Sequence, residues 1–165
     1  MKKWLLVFLF LIVSGGIWLM VRPPDGDLDT FSQSLLDQVK ANKPLEVDGV
    51  PVPSLLTEEL LTRDDVERVK EETEYTTLWI NNHYFSYQNM NGSKQLAEIS
   101  VSGSSDTLRR QTFIDALGAP TYEQDIIFSR LYEFPYQTSL IVIEESKGFL
   151  GLKGGKIRAI RIVPQ

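Results

Sequence analysis

Residues 75–102 read YTTLWINNHYFSYQNMNGSKQLAEISVS, and their period decides the fold. Three runs, Tyr75 to Ile80, His83 to Asn89 and Lys94 to Ser102, have the composition and two-residue period of strands. Asn81-Asn82 separates the first two, and Asn91-Gly92 separates the last two. Both pairs suit a two-residue hairpin turn, whose central positions need φ > 0. In the third run Ala97, Ile99 and Val101 alternate with Glu98 and Ser100, so one face of the sheet is expected to be buried.

Upstream the pattern is helical. Thr30-x-x-Gln33 reads as a capping box, and Phe31, Leu35, Leu36 and Val39 form one apolar stripe, which predicts a helix over about 29–42. Residues 43–56, with three prolines and a glycine, read as a loop or extended connector. A second helix is expected over roughly 57–73, with a capping box at Thr62-x-x-Asp65 and Val66 and Val69 on one side. Glu71, Glu72 and Glu74 oppose the dipole at its end.

Downstream, Ser105 or Asp106 caps a predicted helix from about 107 to 117, which Gly118 ends and Pro120 prevents from continuing. Strands follow at about 126–134, 138–145 and 156–163, and the unbroken run Leu140-Ile141-Val142-Ile143 marks a central one. The predicted order of helix and three strands thus occurs twice, in halves 57–102 and 106–163. The expected fold class is α+β, with helices packed on antiparallel β-meanders, the recurring order being either a tandem repeat or a chance similarity of β-hairpins.

Phe113-Ile114-Asp115-Ala116-Leu117-Gly118-Ala119-Pro120, then Tyr132-x-Phe134, an apolar strand, and Gly155-Lys156-Ile157 with a final strand make a recognisable series. It resembles the small envelope lipoproteins of the SmpA/OmlA type and the related β-lactamase-inhibitor-like modules. The resemblance implies a helix ending in Leu-Gly-x-Pro before a curled antiparallel sheet. It also implies a non-enzymatic module that binds other proteins or scaffolds an assembly. The chain departs from that pattern in having no lipid-attachment cysteine.

The first twenty-one residues suggest a location. Lys2 and Lys3 precede an uncharged, mostly apolar run from Trp4 to Val21. As a helix, those residues reach about 27 Å, near the hydrocarbon thickness of a bilayer. The expectation is an N-terminal transmembrane helix over 1–21, a short linker over 22–28, and an extracytoplasmic domain over 29–165. Arg22 followed by Asp25, Asp27 and Asp29 leaves the N-terminus cytoplasmic by the positive-inside bias. The alternative is a cleaved signal peptide and a secreted domain; cleavage near Ser14-Gly15-Gly16 leaves Ile17 to Val21 as an exposed apolar terminus.

Composition excludes several chemistries. Without Lys2 and Lys3, 15 basic residues face 22 acidic ones, a balance of −7 that does not suit nucleic acid. The absence of cysteine removes disulfides and thiol nucleophiles. The single histidine, His83, is expected as a half-exposed strand-end residue, and one histidine without cysteine argues against a zinc site. Asp25, Asp27 and Asp29 alternate like calcium ligands, but the glycine and distal glutamate of a calcium loop are missing, so they read as a solvated helix-capping run. The pairs Glu58/Glu59, Asp64/Asp65 and Glu144/Glu145 are neighbours whose side chains diverge on helix or strand, so spacing alone makes no catalytic dyad. No catalytic residue, cofactor or metal is expected.

Two candidate contact surfaces stand beside plainer structural readings. Lys147, Phe149, Leu150, Leu152 and Lys153 mix apolar and basic side chains in a glycine-spaced connection, which suits either a long hairpin loop folded back on the sheet edge or contact with lipid or a partner. Trp79, Tyr84 and Tyr87 lie on adjacent predicted strands and suit either packing against the two helices or a protein interface. The expected function is a membrane-anchored, non-catalytic binding module of the cell envelope. Its partners would be the bilayer, through the N-terminal helix, and another envelope protein. The alternatives are a small-ligand sensor domain and an envelope hydrolase using carboxylates.

Overall fold

The computed structural model describes residues 27–103, 105, 107–148 and 154–165. Helix α1 (Leu28–Lys40) comes first, then a small hairpin of β1 (Glu46–Val47) and β2 (Val50–Pro51), and a single helical turn α2 (Glu58–Leu61). Strands β3 (Val66–Glu71), β4 (Tyr75–Ile80), β5 (His83–Met90) and β6 (Ser93–Ser102) form a meander. Helix α3 (Arg110–Leu117) leads into β7 (Tyr122–Asp125), β8 (Ser129–Tyr136), β9 (Ser139–Ser146) and β10 (Ile157–Pro164). These last eight strands make one antiparallel sheet in the order β3-β4-β5-β6-β10-β9-β8-β7. The order reads the same outward from the β6–β10 seam in both directions.

The pairing register explains the core. Leu78, Phe85, Ile99, Ile162, Ile141 and Phe134 are cross-strand partners in succession, one from each of six strands. All six are fully buried. Because side chains alternate across a strand, this register turns one whole face apolar. Helix α1 covers that face with Leu28, Phe31, Leu35, Leu36 and Val39. Phe113 of α3 meets Phe134 with ring centroids 6.5 Å apart. Each such burial stabilises the fold by roughly 1.5–3 kcal/mol.

The expected fold class is corrected by this architecture: the protein is mostly β, one large antiparallel sheet with few helices, rather than helices packed on separate α+β meanders. The predicted helix over 57–73 is the largest error. Thr57, whose hydroxyl accepts the Leu60 N–H at 3.2 Å, starts a helix that ends at Leu61, and Val66–Glu71 is an edge strand paired with β4. An edge strand exposed on both faces shows little apolar alternation, and its charged residues deter pairing with other chains. Val66 and Val69, read as a helical spacing, are therefore strand positions. Helix α1 also begins one turn earlier than its expected cap: Asp27 accepts the Thr30 N–H at 3.0 Å and the Thr30 hydroxyl at 2.6 Å.

The expected single-pass localisation is corrected too. No helix among the described residues is long and apolar enough to cross a membrane. The longest, α1, has 13 residues and carries Asp29, Gln33, Asp37 and Lys40 opposite its buried stripe. The run Trp4 to Val21, on which the expected span rested, lies outside the described residues.

Candidate functional site

A cleft of about 360 Å³ opens where α1 crosses one end of the sheet. One wall is α1, through Asp27, Thr30, Phe31, Ser34, Leu35 and Gln38. The other is built from two tight turns. Asp48 and Gly49 connect β1 to β2 with φ of +50° and +74°, and Asn81 and Asn82 connect β4 to β5 with φ of +50° and +62°. Two successive left-handed residues are the geometry of a type I′ hairpin turn, which Asp-Gly and Asn-rich pairs adopt most readily.

The turns are joined side chain to side chain. His83 Nδ1 lies 2.5 Å from Asp48 Oδ2, and Asn81 Nδ2 donates to Asp48 Oδ1 at 3.2 Å. From the other side, Arg63 donates to the Asp48 carbonyl at 2.6 Å while its guanidinium forks onto Asp65 at 2.9 and 2.5 Å. That fork holds the Asp65 carboxyl below its ordinary range. Phe31 meets the His83 ring edge-on at 5.1 Å. The imidazole is therefore fixed by an anion on one side and an aromatic ring on the other. Side-chain exposures of 12% for His83 and 15% for Asp48 leave the pair largely shielded from water.

The cleft has an apolar base of Phe31, Leu35 and Val47 and an oxygen-rich rim of Asp27, Glu46 and Asp48. Hydrogen bonds from Thr30 hold the Asp27 carboxyl below its usual range, so it is ionised at neutral pH. Among the described residues, none of the lining side chains is lysine or arginine. Gln38 is already committed: its amide donates to the Glu46 carbonyl at 2.9 Å and accepts the Glu46 N–H at 2.7 Å. Among the described residues no hydrogen bond joins Ser34 to His83, and the Thr30 hydroxyl is turned to Asp27. No group of three or more His, Asp or Glu side chains among the described residues is placed to hold a metal ion.

The expected contact residues separate. Trp79 and Tyr84 lie together on the sheet face away from α1, edge-on at 5.5 Å, with the Arg68 guanidinium 4.9 Å over the Trp79 ring. Tyr87 points the other way and is fully buried. Its hydroxyl lies 3.4 Å from Ser54 Oγ, and burial pushes the phenol above its ordinary value. Lys147 donates to the Ile126 carbonyl at 2.7 Å and bridges to Asp125 at 3.1 Å. Phe149, Leu150, Leu152 and Lys153 lie outside the described residues.

His83 is not the half-exposed residue that its place beside a turn suggests. The partner that changes its role, Asp48, sits in the segment read as a connector. A local signal for it exists: Val47-Asp48-Gly49-Val50 is an Asp-Gly pair between apolar residues. Asp29, read as solvated, accepts hydrogen bonds from the Ser105 and Thr107 hydroxyls at 2.5 and 2.7 Å.

No protein-family model and no curated protein matches this chain. Among solved structures, the chain is similar to a DUF4309 family protein, YjgB, from Bacillus subtilis, with a TM-score of 0.51 and 10% sequence identity over 82% of this chain and 97% of that one. At that identity the likeness concerns the fold alone.

Proposed function

We propose that the chain is a non-catalytic binding module that takes up a small polar ligand in the cleft between α1 and the two left-handed turns. The observation that carries this reading is the His83–Asp48 pair, which closes one wall of a concave site lined by few, fixed polar groups over an apolar floor. Such concavity with sparse oriented polar groups is the usual form of a ligand site. The imidazole nitrogen facing Asp48 is engaged in holding the turns, and among the described residues no hydroxyl is hydrogen-bonded to the ring as a nucleophile, which favours binding over catalysis. The carboxyl oxygens of the rim can each accept a further hydrogen bond beside those already made, which favours ligands rich in hydrogen-bond donors.

The test is a thermal-shift screen of the native chain against amines, amino sugars and short peptides, with Ser34→Trp as the comparison. Ser34 is exposed on α1 and lines the cleft, so a tryptophan there fills the site without disturbing the core. A ligand for this cleft raises the Tm of the native chain, leaves that of S34W unchanged, and is recovered chemically intact. Equal shifts in both proteins, or a consumed ligand, would reject the reading.

A further inference from the structure

The cleft between α1 and the two left-handed turns carries an uneven charge. Asp27, Glu46 and Asp48 line it, and among the described residues its one basic lining group is His83. That ring faces Asp48, so even an imidazolium sets one positive charge against three carboxylates. The neighbouring cations do not restore the balance. Arg63 is engaged by the Asp48 carbonyl and the Asp65 carboxylate. Lys43 lines an adjoining groove, together with Asp37. Among the described residues no ammonium or guanidinium forms an ion pair with Asp27 or Glu46. Glu67 adds a further carboxylate, which accepts the Asn82 N–H at 3.2 Å in one of the turns. The α1 N-terminus beside Asp27 contributes only about half a positive charge.

We infer that the cleft takes a small organic cation, a protonated amine on a compact hydrocarbon body. The inference rests on the reading of the cleft as a ligand site and names the class of ligand. An ionised carboxylate only accepts hydrogen bonds, and an ammonium only donates them. Thr30 keeps the Asp27 carboxyl ionised without neutralising it, because both of its bonds come from uncharged donors. A concave site lined by one sign of charge focuses the field on a counter-ion. Phe31, Leu35 and Val47 at its base offer apolar surface that an alkyl group covers and a hydrated inorganic ion does not. A divalent metal is the poorer occupant, since no three carboxylate or imidazole groups among the described residues converge on one point. At about 360 Å³ the cleft stands near the lower end of ligand sites, which fits a single amine with a compact body.

Three probes of similar shape separate charge from fit: cyclohexylmethylammonium, cyclohexylmethanol and cyclohexanecarboxylate. Each is titrated into the isotope-labelled full chain, and the NMR amide signals of Asn81 and Asn82, in the cleft wall, report occupancy. The expected result is ammonium binding about tenfold or more tighter than the alcohol, no binding of the carboxylate, and a preference that shrinks as salt is raised. Asp27→Asn deletes one charge and keeps the helix cap, since asparagine caps as well as aspartate. Glu46→Gln deletes another on an exposed side chain. Each variant should bind the ammonium severalfold more weakly and the alcohol as before. Equal affinities for ammonium and alcohol at these signals would overturn the inference and leave the cleft a ligand site. Undiminished ammonium binding in both variants, or shifts that persist in Ser34→Trp, would overturn it by placing the cation elsewhere. No shift at Asn81 and Asn82 with any probe would remove the reading of the cleft together with the inference.

Discussion

His83 Nδ1 and Asp48 Oδ2 lie 2.5 Å apart although the two residues are 35 positions apart in the chain. The contact ties the β1–β2 turn to the β4–β5 turn, and thereby the connector after α1 to the main sheet. A shielded, charge-assisted hydrogen bond leaves its partner unsatisfied when one side is removed. Asp48→Ala is expected to cost about 2 kcal/mol, and Asp48→Asn less, because asparagine keeps an acceptor and tolerates φ of +50°. A double-mutant cycle with His83→Ala by urea unfolding should return about 1–2 kcal/mol of coupling. Additive effects would show that the two turns are held independently.

Glu98 should behave oppositely to the other acids. It lies on the face away from α1, where burial pushes its carboxyl up and Arg161 offsets only part of the effect. A raised native value means that the folded state holds the proton more tightly than the unfolded chain. The protonated group favours folding below the ordinary carboxyl range, and that contribution is lost as pH rises through the native value. Glu98→Gln is therefore expected to raise Tm at neutral pH, with a gain that shrinks toward acid. Calorimetry from pH 3 to 8 checks this, and a gain independent of pH would refute it.

Asp27 illustrates the reverse sign. Its lowered native value means a stabilising contribution that is present above the unfolded carboxyl range and disappears as pH falls through the native one. The largest cause is the hydrogen bond from the Thr30 hydroxyl. Thr30→Val deletes that donor while leaving the backbone N–H in place. The Asp27 carboxyl resonance, followed by NMR against pH, should titrate higher in the variant than in the native chain.

The two sheet faces should respond differently to truncation. Ile99 sits in the buried row between Phe85 and Ile162, so Ile99→Ala is expected to cost about 3 kcal/mol. Trp79, half-exposed on the other face, loses only its contacts with Tyr84 and Arg68, so Trp79→Ala should cost about 1–2 kcal/mol. Chemical denaturation of the two variants distinguishes them, and equal costs would contradict the assignment of faces.

Strand positions were readable wherever the signal is local. The turns at Asn81-Asn82 and Asn91-Gly92 and the Gly118 helix stop, with φ of +87°, follow from conformations that few residues adopt. The alternation of Ile99 and Val101 with Glu98 and Ser100 placed β6 within a residue. The edge strand β3 escaped notice because neither of its faces is buried enough to impose a period on its residues.

The residues alone thus settle the apolar row of β6, the Asn81-Asn82 and Asn91-Gly92 turns and the Gly118 helix stop, because each depends on neighbours within a few positions. They do not settle that β6 meets β10 and merges two meanders into one mostly β sheet, since that seam joins strands about sixty residues apart. They also do not bring Asp48 and Phe31 to His83. Those contacts exist because α1 and a short hairpin fold back over one end of the sheet, and long-range burial, rather than local preference, puts them there.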